Sequence, residues 1–551
     1  MLSKDQINRA CKRAMNNILS EGLTDVPLMN KAFESDFYRK DCDVRREVID
    51  IVTERIMSND FDELKLNPLN HILIPKKKYA DYRDCALVDI LDETIYLTLV
   101  LSIARLIERN RVSKKNQQVL SYRISFDEKT GAIFDPTFTY TNFQKNVSSL
   151  KAKTKYNVMA SCDIASFYDR LNLHRLNSVL TSLPNADEDI AYLIDKTLLF
   201  WSNSNSYGLP VGSNASRILA EAELIEVDNY LTRHNVSFCR FVDDYRIFGE
   251  NAATVDEGLE RLVKSLRREG LFLNPSKTKV DDISNYSIKE NNLESTGKAE
   301  PQSKEDNGSK PKLIVAGYSG TIPLKYKSPS ETEKAELSTI DIDNLILTLR
   351  GSHTLNESDF KTLYRAISAQ CRFDKLSEAV SLTSKSPQFI PYTVDFLIKH
   401  ADSIQKEDRT RISAALKRDF SNKNAFPYKL VSLTKLFSTS QFEDMRFVVD
   451  TYLNATKGVG GEAGRLFLQS AGNRLSRLEA LEIRDCANSV SGISELRMLA
   501  HVASNNLPPE ECRPFLSNLS TRTNDPFLKE MSKITNRACK QRERRNKRVK
   551  R

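Results

Sequence analysis

The chain has 551 residues, 40% of them hydrophobic and 28% charged, with 82 Lys/Arg against 73 Asp/Glu and a formal net charge of +9. That length exceeds what one hydrophobic core organises and calls for two or three domains. The longest apolar run, residues 95–104, is about half a bilayer span, and the opening Met-Leu-Ser-Lys-Asp-Gln has no apolar signal region, so a membrane protein is excluded and a soluble, cytoplasmic one expected.

Charge and cysteine placement narrow the classes further. Residues 540–551 hold eight Lys/Arg and one Glu, so the rest of the chain is nearly neutral. Any nucleic-acid channel must then be a local basic patch; Lys76-Lys77-Lys78 and residues 111–115 are the candidates. The tail itself suits either phosphate contacts with steep salt dependence or a solvated, disordered end. The nine cysteines lack any Cys-x-x-Cys pair, which argues against a zinc site or a disulfide framework.

In chain order, residues 1–70 read as helical and polar. Residues 85–110 predict one long helix, with Leu87, Ile90, Leu91, Ile95, Leu99 and Ile103 at helical spacing. Residues 119–140 predict a hairpin turning at Gly131. Its Ser121-Tyr122-Arg123-Ile124 segment offers Arg123 as a grip for a triphosphate or as an ordinary surface ion pair. Residues 158–169 predict a short apolar strand ending in Asp163, an aromatic turn at Phe167-Tyr168, and then a helix over 171–180. Trp201 ends an apolar helix and suits packing or base stacking. In Tyr207-Gly208-Leu209-Pro210-Val211-Gly212, the Gly and Pro residues impose a bent loop that a backbone or base can approach closely. The small polar run after it opens a helix whose N-terminus attracts phosphate.

The chemistry centres on Phe238-Cys239-Arg240-Phe241-Val242-Asp243-Asp244-Tyr245-Arg246-Ile247-Phe248. A half-buried strand rejects carboxylates, because desolvating an unpartnered charge is costly. Strand runs on both sides of the pair predict a tight hairpin with the acids at its tip. Their natural partner is a divalent cation, which needs a further carboxylate, and Asp163 supplies it. Strand alternation lets Asp163 and one tip acid face one cleft; Asp243 is the stronger ligand, with Asp244 pointing partly away. Hard oxygen ligands suit Mg²⁺, with Mn²⁺ as a substitute. Two ions roughly 3.5–4 Å apart activate a hydroxyl and stabilise a leaving pyrophosphate. In Gly270-Leu271-Phe272-Leu273-Asn274-Pro275-Ser276-Lys277-Thr278, Lys277 is placed to neutralise or protonate that pyrophosphate, or else is a solvated lysine after a turn. Asp281-Asp282 reads as a plain surface pair.

Taken in order, these segments resemble a reverse transcriptase, over about residues 70–285. The order is acid plus aromatic, Gly-Leu-Pro-x-Gly, aromatic-x-Asp-Asp and Leu-Asn-Pro-x-Lys-Thr. More closely they resemble the bacterial abortive-infection and "unknown group" defence-associated reverse transcriptases. Leu209-Pro210-Val211-Gly212, Ser216-Arg217, Ala220-Glu221, Tyr122-Arg123 and a long helical C-terminal extension carry that likeness. Two departures stand out: Val211 where retroviral, group II intron and retron enzymes usually have Gln, and Phe241 opening the aspartate motif instead of Tyr.

The resemblance implies an α+β fold. A right-hand polymerase fingers–palm is followed by an all-α, HEAT-like helical-repeat domain. It implies Tyr168, beside Phe167, as the aromatic that blocks a ribose 2′-hydroxyl, hence dNTPs as substrates; plain core packing is the other reading. It implies Gly208, Pro210, Val211 and Gly212 around the incoming nucleotide. It also implies DNA synthesis, templated or untemplated, that protects a bacterium from phage, in some relatives primed by a protein tyrosine. Nothing local singles out one of the nineteen tyrosines. Templated synthesis with a partner noncoding RNA, RNA synthesis from NTPs, and an inert oligomeric scaffold are the alternatives.

The expected domains are an N-terminal helical region with fingers (1–140), the palm (141–330), a helical region (331–539) and the basic tail (540–551). Residues 284–312 lack large apolar side chains and predict a disordered insertion; short strands are expected at 313–316 and 321–324. From about 332 onward the chain reads as helix after helix, for example over 411–420, 428–437, 442–453 and 475–487. Stacked helical pairs of this kind suit nucleic-acid guidance or self-assembly into a homo-oligomer.

Overall fold

A computed structural model describes residues 2–24, 32–76, 81–284, 325–420, 425–456, 464–490 and 492–549, with side chains to residue 543. The insertion at 284–312 and the strands expected at 313–316 and 321–324 therefore lie outside the described residues, save Ser284. The chain divides into two units. The first comprises the described parts of 1–25, 31–69 and 88–317; the second comprises those of 70–87 and of 318–551.

Six strands are described: β1 (Asn70–Pro75), β2 (Tyr82–Leu87), β3 (Val158–Asp163), β4 (Ser237–Phe241), β5 (Asp244–Gly249) and β6 (Lys279–Asp282). The first unit is built on an antiparallel sheet in the order β4-β5-β3-β6. Its interior strands are short and rich in small or branched apolar residues: Met159, Ala160 and Cys162 on β3 and Ile247 and Phe248 on β5 are buried. The helix Ala252–Arg268 covers one face of the sheet, burying Val255, Leu262 and Leu266 at helical spacing.

The long helix expected over 85–110 is shorter. Residues 82–87 are strand β2, and the helix (Ile90–Asn110) begins where Asp89 caps it, accepting from Leu91 N at 2.9 Å. Apolar spacing ran past the cap because Leu87, the last residue of the half-buried strand, falls at helical spacing with Ile90 and Leu91. The hairpin expected over 119–140 is present only over its tip: Ile124 bridges Phe134, Asp135 N donates to Arg123 O at 2.8 Å, Ser125 N to Ile133 O at 3.0 Å and Asp127 N to Ala132 O at 2.9 Å. Gly131 does sit in its turn, at φ +78°, and a Cβ there would lie 2.6 Å from the Asn16 carbonyl. Residues Tyr140–Lys151 form a helix of their own.

The second unit is mostly helical from Glu331 onward. All four helices expected there are present, as Lys406–Phe420, Pro427–Phe437, Met445–Thr456 and Arg477–Asp485. Its core includes an aromatic cluster of Phe360, Tyr364, Phe389, Tyr392 and Phe396. The β1–β2 hairpin belongs to this unit and packs on the Pro427–Phe437 helix; the Tyr82 ring lies 5.1 Å from that of Phe426 and 6.3 Å from that of Tyr428. The last helix, Pro526–Val549, continues into the basic tail as far as Val549. No described helix is long and apolar enough to cross a membrane.

Candidate active site

The β4–β5 hairpin turns through Val242 and Asp243, which places the two aspartates at its tip. Strand β3 lies beside β5 with Asp163 opposite Asp244, and Ile164 N donates to Asp243 O at 3.0 Å. Three carboxylates, one of them 80 residues before the adjacent pair, thus meet at one end of the sheet. Beyond that end the chain of β3 is gripped from the other side. Ala165 N donates to Phe272 O at 2.8 Å and Asn274 N donates to Asp163 O at 2.7 Å. The Asn274-Pro275 turn then brings Lys277 back, and its Nζ donates to Asp163 Oδ2 at 2.8 Å.

This concentration of negative charge shapes the electrostatics. Burial, with Asp163 and Asp244 as like charges beside it, pushes the Asp243 carboxyl up to about 7. Asp244 is also raised, by burial foremost, while the Arg246 guanidinium opposes the rise. Arg246 Nη2 donates to Asp244 Oδ2 at 2.9 Å, and Nη1 bonds the other oxygen. Burial lowers Lys277, yet the hydrogen bond and charge of Asp163 and the two tip acids leave its ammonium above the ordinary value. Among the described residues no three His, Cys, Asp or Glu side chains are grouped closely enough to hold a metal alone. The donor set, two or three carboxylates without imidazole or thiolate, suits a hard cation that completes its shell with water and substrate phosphate.

The Gly-Leu-Pro loop is stitched to the aromatic turn. Gly208 N donates to Leu171 O at 2.9 Å and Leu209 N to Tyr168 O at 3.0 Å. Gly208 and Gly212 have φ of +100° and +122°, and Pro210 and Val211 are buried. Phe167 and Tyr168 are buried, their rings meeting edge-on at 5.6 Å. The helix that follows, Asn214–Glu223, is capped by Ser213, whose hydroxyl accepts from Ala215 N and donates to the buried Glu93 at 2.6 Å.

Other expectations need correction. Arg123 is not presented for a triphosphate: it is 1% exposed, ion-paired to Glu108 at 2.8 Å and bonded to Val112 O. Its apolar flanks, Tyr122 and Ile124, carry it inward. The basic patch at 111–115 is only partly free surface: Arg111 is buried against Glu221 and Lys114 bonds Asp135 at 2.9 Å, while Lys115 is exposed. Lys76 pairs with Asp81, and Lys77 and Lys78 lie outside the described residues. Trp201 packs edge-on to Tyr96 and donates to Asn67 O at 3.1 Å. A buried ionic cluster of Arg240, Glu221, Asp228 and Arg111 behind the tip went unread. Its signal was Arg240 inside an apolar strand and Glu221 between alanines, opposite charges in two runs that bury everything else.

No curated protein matches the sequence. Apo telomerase from Candida tropicalis aligns over 73% of this chain and 69% of its own, at 10% identity and TM-score 0.29. A form of it truncated from the C-terminal domain aligns over 40% of this chain at 15% identity and TM-score 0.29, and this chain spans only 50% of its length. Telomerase from Candida albicans, in complex with a fragment of telomeric RNA, aligns over 80% of this chain and 67% of its own, at 12% identity and TM-score 0.30. These are distant likenesses. The sequence of residues 95–289 matches the family "reverse transcriptase (RNA-dependent DNA polymerase)". That match brackets every strand of the sheet bearing the three carboxylates and stops short of the helical region, so residues 95–289 are a reverse transcriptase domain within a longer chain.

Proposed function

We propose that this domain extends a DNA strand from dNTPs, in the service of antiphage defence. The observation that carries the reading is Asp163 and the Asp243-Asp244 tip meeting at one sheet end, with Lys277 on Asp163. Asp163 and Asp243, with Asp244 assisting, would hold two Mg²⁺ ions, which would supply hydroxyl activation and the charge that a leaving pyrophosphate needs. In the reaction a primer hydroxyl forms a bond to the α-phosphorus and the bond to the β-phosphate breaks. Lys277, the cation beside the carboxylates, offers its proton or its charge to the departing oxygen. Tyr168 and Phe167 shape the sugar pocket, while Gly208, Pro210, Val211 and Gly212 give the nucleotide a close backbone surface. The helical region, read as stacked pairs, guides nucleic acid or assembles copies of the chain.

The defence role and untemplated, protein-primed synthesis rest on the motif likeness to abortive-infection enzymes. The test is to incubate the protein with Mg²⁺ and each labelled dNTP in turn, then digest the product with protease or nuclease. Label joined to the protein and released by protease supports protein priming; a defined sequence that needs copurified RNA favours the templated alternative. Incorporation of NTPs only, or phage protection that survives Asp243→Ala and Asp244→Ala in a folded protein, overturns the reading.

A further inference from the structure

Val242 stands immediately before the catalytic tip, buried, with φ +58°. A β-branched residue in the left-handed region is an outlier that persists only where its surroundings over-determine it. Here they do. Val242 N donates to Ser121 Oγ at 2.9 Å, and Val242 O accepts from Arg240 Nη1 at 2.7 Å. The two holders are joined through Glu221: Ser121 Oγ donates to one of its oxygens, and Arg240 donates to both, at 3.2 and 2.9 Å. Arg240 also forks onto Asp228 at 3.0 and 3.1 Å, and Arg111 fixes the Ser121 carbonyl at 2.7 Å. Segment 118–121 runs along the outer edge of β4, where Arg240 N donates to Gln118 O and Leu120 N donates to Arg240 O, which delivers Ser121 to the tip.

A cluster that merely neutralised its own charges would not converge on both polar groups of one strained turn residue. We propose that Ser121 and Arg240 are positioning residues of the polymerase site, a clamp that holds Val242 in its strained conformation and so aims Asp243 at Asp163. The inference rests on the polymerase reading and adds to it the device that sets the carboxylate geometry.

Removing Arg240 leaves Glu221 and Asp228 buried without their cation, which threatens folding, so Ser121 is the position to change. Ser121→Ala is expected to lower kcat for dNTP incorporation about 10- to 100-fold while leaving the dNTP KM within about threefold, the pattern of a lost transition-state alignment. Val242→Gly, which adopts a positive φ freely, is expected to stay near wild type and to recover most of the loss when combined with Ser121→Ala. Amide exchange of the peptide 239–245 is expected to quicken in Ser121→Ala and to be unchanged elsewhere. A kcat within twofold of wild type, losses that multiply in the double variant, or unaltered exchange at the tip overturns the clamp. A wild-type protein that incorporates no nucleotide sinks the polymerase reading instead, and the exchange comparison still decides the clamp.

Discussion

Lys277 Nζ donates to Asp163 Oδ2 at 2.8 Å, so the residue expected to meet the leaving group rests on the residue expected to hold a metal. The lysine is 61% exposed in its side chain, and a pair this open contributes little to stability. Lys277→Ala is therefore expected to leave the thermal midpoint almost unmoved. Turnover is expected to fall by about 10²-fold or more if Lys277 is the general acid. Single-turnover incorporation beside a melting curve separates the two effects; a large drop in melting temperature with unchanged turnover contradicts the assignment.

Asp243 predicts a pH dependence of the metal-free protein. Its folded carboxyl is raised to about 7, against about 3.9 when unfolded. The folded state thus holds the proton more tightly, so this contribution is fully present below about pH 4 and is lost as pH rises through 7. Asp243→Asn is expected to flatten the decline in melting temperature between pH 5 and pH 8. Millimolar Mg²⁺ is expected to stabilise wild type at pH 8 by binding the folded state, and to stabilise Asp163→Asn or Asp243→Asn much less.

Glu223 is fully buried, and neither carboxylate oxygen has a hydrogen-bond partner among the described residues. Burial, and then the neighbouring Glu269, pushes it up to about 8. By the same sign its contribution is lost as pH rises through 8. Glu223→Gln is expected to melt close to wild type at pH 6 and above it at pH 9; a wild type with no excess loss between those values rules this out.

Tyr168 sits where the motif places the sugar gate, yet its ring is only 6% exposed. Tyr168→Ala is expected to raise NTP incorporation relative to dNTP. If sugar selectivity is unchanged and stability falls by the roughly 3–5 kcal/mol of a large core truncation, Tyr168 is packing alone.

The site was legible because its chemistry is local: an Asp-Asp within apolar strands, a glycine-flanked Leu-Pro and an Asn-Pro before Lys277 each carry their own constraint. The sheet end that joins them follows once Asp163 ends a strand. Arg123 was misread because a single arginine reads alike whether it faces water or Glu108. The Arg240 cluster was missed because its members come from four separate segments, and only the fold pairs them. The β1–β2 hairpin was missed because Lys76-Lys77-Lys78 drew the reading towards surface charge and away from the alternation on either side.

That hairpin has a temporal consequence. Residues 70–87 are made early but pack on the helix Pro427–Phe437, which a ribosome working at about 5–20 residues per second reaches tens of seconds later. Until then two strands with Ile72, Ile74 and Cys85 to bury have no docking face. The nascent chain must shield them, and any messenger broken before the codons of that helix yields a product with that seam open.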